Sequence, residues 1–126
     1  MNNKKIGTAF EREVCKRVAE TGAWVHFLSP DEKGSQPFDI IAVRDGIACA
    51  IECKTLNSKA TKFPISRLEE NQILAMEKWI SCGNADPLIA VYWRGNIHVI
   101  EYSRLKREKS VDLFKWRGLD VKKGKD

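Results

Sequence analysis

The sequence has no apolar run long enough to cross a membrane. Its longest apolar runs, at 47–51 and 88–92, are about five residues long, whereas a transmembrane helix needs roughly 20. The first residues are polar and no apolar segment follows them, so we expect no secretory signal peptide. Both absences favour a cytoplasmic protein that has no membrane partner.

Cysteine and histidine are also scarce. The 4 cysteines form no Cys-x-x-Cys pair, and none stands at zinc-ligand spacing from the 2 histidines. This spacing excludes the common structural zinc sites and predicts free, reduced thiols, as in cytosolic proteins.

The composition predicts one globular domain. Hydrophobic residues make up 43% of the chain and charged residues 31%, a balance that is typical of a protein with a buried core. We expect a single domain over residues 1–117 and a flexible tail over 118–126, where lysine and glycine recur. The net charge of +5 permits a nucleic-acid partner.

Hydrophobic periodicity predicts the elements of the first half of the chain. Every fourth residue is apolar in the first segment, which predicts a helix over 4–20. An aromatic and β-branched segment predicts a strand over 23–28. Two further strands, over 38–44 and 47–55, flank Asp45-Gly46, which is a favoured two-residue hairpin turn.

The second half begins with a basic loop at 59–64. Ser66 and Glu69 then stand at capping-box spacing, which predicts a helix that ends near residue 82. Strands are expected at 88–93 and 97–102, followed by a short helix and coil at 103–116. The order α-β-β-β-α-β-β predicts an α/β fold in which helices pack on a mixed sheet.

The predicted hairpin brings charged residues together. If its turn has two residues, the pairing outward from the turn sets Asp39 directly opposite Glu52. Directly opposed residues have Cβ atoms roughly 5 Å apart on one face of the sheet. Lys54 lies two residues beyond Glu52 and so shares that face.

Two opposed carboxylates repel each other, so a proton, a lysine or a metal ion must neutralise them. Mg²⁺ suits such a site, because it binds a few carboxylate oxygens and keeps waters elsewhere. It polarises a phosphoryl oxygen and lowers the pKa of a bound water, while Lys54 orients that water or offsets transition-state charge. The pattern favours phosphodiester hydrolysis. The alternative is an ordinary charged pair on a solvent-facing hairpin.

Short motifs in this region resemble those of known nucleases. Pro37-Phe38-Asp39, a hairpin and then Glu52-Cys53-Lys54 resemble the signature of the PD-(D/E)XK nucleases. The segment 7–13, GTAFERE, resembles the G-x-x-F-E-x-E opening of the Holliday junction resolvase branch, with its RecU-type and archaeal Hjc-type enzymes. The segment 63–66 leading into Glu70-Asn71-Gln72 resembles the helix that follows the core in RecU-like proteins.

The resemblance implies a fold and an activity. The fold is a restriction-endonuclease-like core, α-β-β-β-α-β, with a mixed β-sheet flanked by helices. The activity is that of a divalent-metal-dependent DNA endonuclease that resolves four-way (Holliday) junctions, with Mg²⁺ as the cofactor and Mn²⁺ as a substitute. Because such an enzyme cuts two strands symmetrically, the resemblance also implies a homodimer that binds branched DNA.

The resemblance also implies roles for particular residues. Asp39 and Glu52 are the expected metal-binding acids, with the backbone carbonyl of Cys53 as a third ligand. Lys54 is the expected catalytic lysine. Glu11 is expected to reach the metal directly or through water, although an acid near a helix N-terminus is also favourable without any function.

Two further residues are candidates for the catalytic set. Ser35 resembles the loop serine that approaches the scissile phosphate in the archaeal branch, with Ser29 as a rival. Gln72 lies on the inward face of its helix, and a buried amide needs partners. It is expected either to hydrogen-bond near the metal site or a DNA phosphate, or to tie the helix to the sheet.

Basic residues around the predicted site are candidates for binding DNA. They are Arg12, Lys16, Lys33, Lys59, Lys62 and Arg67. No base-reading motif is visible, so we expect recognition of DNA shape rather than of sequence. Candidates for the dimer surface are the aromatic residues Trp93, Tyr102 and Phe114.

Two alternative functions remain open at this point. The same core serves other structure-specific, repair and restriction-type PD-(D/E)XK nucleases, although a small single-domain chain argues against most restriction enzymes. The chain could instead be a non-catalytic DNA-binding module in which the acids are structural. The joint presence of Glu11, Asp39, Glu52 and Lys54 argues against such a module.

Overall fold

A computed structural model describes residues 3–28 and 38–115, with side chains from residue 9 onward. A short 3-10 turn, Ile65–Arg67, precedes the second helix. The other elements are α1 (Asn3–Ala19), β1 (Trp24–Phe27), β2 (Ile40–Arg44), β3 (Ile47–Thr55), β4 (Lys62–Pro64), α2 (Glu70–Ser81), β5 (Leu88–Trp93), β6 (Asn96–Glu101), α3 (Tyr102–Glu108) and β7 (Ser110–Asp112).

The central sheet has five strands in the order β1-β2-β3-β5-β6. Strands β3 and β5 are parallel, and the other neighbours in this sheet are antiparallel. The parallel pair needs a crossover connection, and α2 lies within it. The α/β class with a mixed sheet and flanking helices is therefore confirmed.

The two faces of the sheet carry separate hydrophobic clusters. On one face, Phe10 and Val14 of α1 pack with Ile51 and Cys53 of β3. On the other face, Ala50 of the same strand packs in the cluster that contains residues of α2 and α3. Because successive strand residues point to opposite faces, Glu52 and Lys54 lie on the α2 side of β3.

The start of α2 differs from the prediction. The capping box consists of Glu69 and Gln72, which exchange backbone and side-chain hydrogen bonds, and not of Ser66 and Glu69. Ser66 is instead part of the 3-10 turn, and the extended backbone of Glu69 makes that residue the N-cap. A carboxylate can cap as a serine does, and the pattern alone did not separate the two alternatives.

A second, two-stranded sheet was missed. Strands β4 and β7 pair antiparallel, with Phe63 opposite Val111, both fully buried. The prediction placed a basic loop at 59–64 and a coil after the last helix. Three-residue strands are too short to show an alternating pattern, and they form here because pairing buries these two side chains.

The exposed aromatic residues also differ from the prediction. Trp93 and Tyr102, proposed for a dimer surface, are buried, with 4% and 1% of their surface exposed. Phe114 is 59% exposed. The predictions for Lys33, Ser35 and residues 118–126 lie outside the described residues. Across the part of the chain that is described, no helix is both long and apolar enough to span a bilayer.

Candidate active site

The β2–β3 hairpin has the predicted register. Its two-residue turn is Asp45-Gly46, with φ angles of 54° and 79°, and the cross-strand pairs run from Arg44↔Ile47 to Ile40↔Ile51. Positive φ at both positions is the geometry that favours Asp-Gly in hairpin turns. The turn therefore fixes which residues of β2 and β3 meet at the far end of the hairpin.

The regular ladder ends just before Asp39. The backbone N–H of Asp39 donates to the carbonyl of Ile51 at 3.2 Å, although Ile51 is already the partner of Ile40. Phe38 packs on the α2 side and Ile40 on the α1 side, whereas residues two apart in a regular strand share a face. The expected regular pairing of Asp39 with Glu52 is therefore wrong in detail, because the strand is irregular at Asp39.

Asp39 is nevertheless held against Glu52. Its Oδ2 accepts a hydrogen bond of 2.8 Å from the backbone N–H of Cys53, and its carboxyl group lies within hydrogen-bonding reach of that of Glu52. Burial raises the pKa of Asp39, and the hydrogen bond from Cys53 and the charge of Lys54 oppose that rise. The two carboxyl groups thus meet, as predicted.

Glu52 is the one charged side chain that is buried in the described structure, with 5% of its surface exposed. Its Oε2 accepts a hydrogen bond of 2.7 Å from Nε2 of Gln72. Burial raises the pKa of Glu52, and the neighbouring charges of Asp39 and Glu11 raise it further. A buried carboxylate beside other acids is costly unless a cation or a proton neutralises it.

Glu11 brings a third carboxyl group to the site from α1. The side chain is half-buried, and burial followed by the charge of Asp39 raises the pKa of Glu11 to about 7. Glu11 and Asp39 also raise the pKa of the Cys15 and Cys53 thiols, after burial, which is the main cause. Both thiols are therefore protonated, which argues against nucleophilic roles.

Lys54 supplies positive charge next to the acids. It is half-buried, two residues beyond Glu52, and its charge lowers the pKa of both Asp39 and Glu52. One ammonium group beside three carboxyl groups leaves the site with excess negative charge when the acids are ionised. The site can therefore attract a cation.

Gln72 combines the two roles that the sequence left as alternatives. Its Oε1 accepts the backbone N–H of Glu69 at 2.9 Å, which caps α2, while its Nε2 holds Glu52. One amide thus ties the helix to the sheet and fixes the position of a buried acid. Sequence analysis did not find the capping role, although the Glu69-x-x-Gln72 spacing is a signal for it.

The donor set suits a hard divalent cation. Carboxylate and carbonyl oxygens are the ligands that Mg²⁺ prefers, and Asp39, Glu52, Glu11 and the carbonyl of Cys53 could supply them. Within 9–28 and 38–115, no three His, Cys, Asp or Glu side chains are already arranged as a metal cluster. A cation bound there would displace protons from the acids whose pKa is raised, Glu11 and Glu52 among them.

The predicted DNA-binding residues that the structure describes lie at or near the surface. Arg12 and Lys16 are exposed on α1, one turn apart and on the helix that carries Glu11. Lys59 and Lys62 are exposed after β3. Arg67 is only partly exposed, with its guanidinium 5.6 Å from the centre of the Phe63 ring.

Comparison with known proteins identifies the family. Residues 2–122 match the family model described as archaeal Holliday junction resolvase (Hjc). The fold is similar to that of Archaeoglobus fulgidus Hjc, a Holliday junction resolvase from an archaeal hyperthermophile, with a TM-score of 0.63 and 23% identity. The match covers 84% of this chain and 88% of that one. A comparison with curated protein sequences finds no match.

The family match covers the residues of the candidate site. It spans nearly the whole chain, including Glu11, Asp39, Glu52 and Lys54. The expected resemblance to the resolvase branch of the PD-(D/E)XK nucleases is confirmed. The chain belongs to the archaeal Holliday junction resolvase family, and is a metal-dependent DNA endonuclease.

Proposed function

We propose that this chain cuts four-way DNA junctions with Mg²⁺ held by Asp39, Glu52 and Glu11. The observation that carries the proposal is the buried carboxyl group of Glu52 beside the partly buried carboxyl group of Asp39. Placing a buried acid next to a second acid destabilises a fold, so a function that requires both explains the arrangement better than packing does. Mn²⁺ has the same preference for oxygen ligands and is the expected substitute.

The protein groups hold the site in position. The N–H of Cys53 fixes Asp39 Oδ2, and Gln72 fixes Glu52 Oε2, so one oxygen of each acid is already oriented. The second oxygens and the Cys53 carbonyl would bind Mg²⁺, with Glu11 reaching it from α1 directly or through water. When bound, Mg²⁺ polarises the scissile phosphate and acidifies a water.

Lys54 is the proposed catalytic lysine. Its ammonium group lies close enough to Asp39 and Glu52 to lower the pKa of both acids. At that position it can orient the attacking water or offset the extra negative charge that develops on the phosphate. A lysine is suited to this task because it keeps its charge and carries three donors.

The substrate contacts follow from the exposed basic residues. Arg12, Lys16, Lys59 and Lys62 would neutralise phosphates on either side of the site, with Arg67 less accessible. Lys33 is proposed for the same purpose and Ser35 for contact with the scissile phosphate, both on the basis of sequence. We expect recognition of the branched shape of the DNA.

A homodimer in the cytoplasm completes the proposal. Two symmetric cuts need two active sites, which a pair of identical chains supplies. Of the aromatic residues that the sequence suggested for the interface, the structure leaves Phe114 exposed. Free thiols at Cys15, Cys49, Cys53 and Cys82 are consistent with a reducing compartment.

The test is cleavage of a labelled four-way junction beside a linear duplex and a flap of matched sequence, with Mg²⁺ and with EDTA. We expect paired, symmetric nicks in the junction that require Mg²⁺ and disappear in Asp39→Asn. The matched control is Asp45→Asn, which makes the same change at the exposed turn of the same hairpin and should leave cleavage intact.

Each contrary result identifies the part of the proposal that fails. Cutting of the duplex or flap alone would contradict the junction substrate. Full activity in Asp39→Asn would contradict the metal site, and junction binding without cleavage would favour the binding-module alternative.

A further inference from the structure

Three side chains form a stack at the end of β5. The guanidinium of Arg94 lies over the rings of Trp93 and Phe114, 4.5 Å and 4.9 Å from their centres. The two aromatic rings also meet edge to face, with centres 5.1 Å apart. Trp93 is buried and anchors the stack, because its Nε1 donates to the carbonyl of Ala60 at 2.8 Å.

The backbone at Arg94 is unusual for an arginine. Arg94 and Gly95 form the two-residue turn between β5 and β6, with φ angles of 53° and 81°. Turns of this geometry favour Asn, Asp or Gly, as the Asp45-Gly46 turn illustrates, and a bulky residue with positive φ is strained. The side chain of Arg94 accounts for its presence, since it lies over both rings and its Nε donates to Ser58 O at 2.8 Å.

Phe114 is held in place but not covered. Its backbone N–H donates to Asp112 Oδ1 at 2.9 Å, and that of Leu113 donates to Thr61 O at 2.9 Å. Arg94 lies over one face of the ring, yet 59% of the residue is exposed. An aromatic ring that is held in place and largely exposed is suited to stack on another flat, apolar surface.

The stack lies beyond Lys54 in the direction in which the parallel strands β3 and β5 run. Glu52 pairs with Ile89 in the parallel β3–β5 ladder, and Trp93 follows Ile89 by four residues on β5. At about 3.3 Å per residue, the stack is roughly 13 Å from Glu52 along the strand. This is the scale of a few nucleotides of DNA.

The surroundings of the ring are basic. Lys115 follows Phe114, and Lys59 follows Ser58, whose carbonyl holds Arg94; both lysines are exposed. Asp112, the acid of the same turn, accepts the hydrogen bond from Phe114 and is half-buried. An aromatic face among cations fits a nucleobase with its flanking phosphates better than it fits a purely apolar protein surface.

We propose that Phe114 is a stacking platform for a nucleobase exposed at the branch point of the junction, with Arg94 holding the ring in place. The inference rests on the proposed function, because it assumes that DNA binds across this side of the site. Duplex DNA presents no open base face except at its ends, whereas unpaired or splayed bases do. Phe114 would therefore add affinity for branched DNA in particular.

The test measures DNA binding in EDTA, where cleavage does not interfere. The probe is a four-way junction with 2-aminopurine at the branch point, beside a blunt duplex of the same sequence that carries the label internally. We expect Phe114→Ala to weaken junction binding about tenfold and to leave duplex binding within about twofold. Binding by the wild-type protein should quench 2-aminopurine, and the substitution should remove that quenching.

Further variants separate stacking from packing. Phe114→Trp should retain affinity and quenching, whereas Phe114→Leu, which keeps an apolar side chain without a ring, should behave as Phe114→Ala does. Arg94→Lys keeps the charge but loses the planar stack, so its effect should lie between these results. The matched control is Trp24→Ala, which removes an equally exposed aromatic residue, 62% exposed, from the sheet edge at β1.

Several results would overturn the inference. The ring would have another role if Phe114→Ala lost junction and duplex binding equally, or if Phe114→Leu bound the junction with full affinity. The same conclusion would follow if Phe114→Ala shifted the protein from dimer to monomer in sedimentation. If Phe114→Ala binds as wild type and still cuts junctions with Mg²⁺, the stacking role fails and the proposed function stands. If the wild-type protein neither binds nor cuts junctions, the proposed function fails first.

Discussion

Glu52 and Glu77 are carboxylates with opposite environments in this fold. Glu77, at the surface of α2, accepts hydrogen bonds of 2.7 Å from Lys106 Nζ and from Tyr102 Oη, and these partners lower its pKa. Glu52 is buried beside Asp39, and that environment raises its pKa. Glu77 has the partners that a stable fold favours, whereas Glu52 lacks a full counter-charge. The difference supports the proposal that the Glu52 site binds a cation.

The largest predicted difference is in activity. Glu52→Gln should lower the rate of junction cleavage by on the order of 10³-fold, because an amide cannot replace a carboxylate ligand. Glu77→Gln makes the same change on α2 and should leave the rate within about twofold. Single-turnover cleavage of a junction measures both. Equal cleavage rates in the two variants would mean that Glu52 is no more important for activity than the surface residue Glu77.

A smaller loss of cleavage activity is expected when the hydrogen bond from Gln72 to Glu52 is removed. Gln72→Ala takes away the amide that fixes Glu52 Oε2 and should lower cleavage about 10- to 100-fold, as outer-shell changes at metal sites do. Glu69→Ala disrupts the same capping box without touching Glu52, so it is the matched control. Both should destabilise α2 by about 1 kcal/mol in urea unfolding. Similar cleavage rates in the two variants would mean that Gln72 only caps α2 and does not support the active site.

Stability should change in the opposite direction from activity. Without metal at pH 8, Glu52→Gln should raise the free energy of unfolding by about 1–2 kcal/mol, because it removes the buried acid that lies beside Asp39. Its amide can still accept from Gln72 and donate to Asp39. Urea unfolding in EDTA measures the gain. A clear loss of stability would mean that the Glu52 charge is well compensated in the fold.

The pH dependence of metal-free stability should also distinguish the acids of the active site from Glu77. Glu11 and Glu52 have folded pKa values above the ordinary 4.5, and that of Glu11 is about 7. At a pH between the ordinary and the folded pKa, the folded protein therefore binds more protons than the unfolded chain does. Metal-free stability should therefore fall as pH rises from about 4.5 to 7 and beyond. The lowered pKa of Glu77 has the opposite consequence, a contribution present above 4.5 and lost in acid.

Thermal melts in EDTA across this pH range provide the measurement. Added Mg²⁺ should flatten the decline above neutral pH, because the metal ion replaces the proton. Glu52→Gln should flatten it as well, without metal. Stability that rises between pH 5 and 8 in EDTA would contradict the raised pKa values.

The sequence predicted those parts of the site that local rules determine. Asp45-Gly46 specifies a two-residue turn, and the turn determines the register of the hairpin, so the meeting of Asp39 with Glu52 could be inferred. The irregular backbone at Asp39 could not, because it depends on contacts of Phe38 with a cluster on the other face of the sheet. Long-range packing of this kind leaves no local signal.

The same division applies to the rest of the fold. The four-residue spacing of Phe10 and Val14 predicted α1 and its buried face correctly. The pairing of β4 with β7 joins segments almost fifty residues apart and involves three residues on each side, so no pattern revealed it. Aromatic content alone did not distinguish the buried Trp93 from the exposed Phe114, since burial depends on the neighbours that the fold brings to each ring.

The most direct test of the account is whether the buried acids bind a divalent cation in exchange for a proton. Calorimetric titration of the DNA-free protein with Mn²⁺ at pH 7, in buffers of different ionisation enthalpy, gives both the affinity and the protons released. We predict binding with release of about one proton in the wild type and in Glu77→Gln, and loss of both in Glu52→Gln. Unchanged Mn²⁺ binding in Glu52→Gln would contradict the central claim.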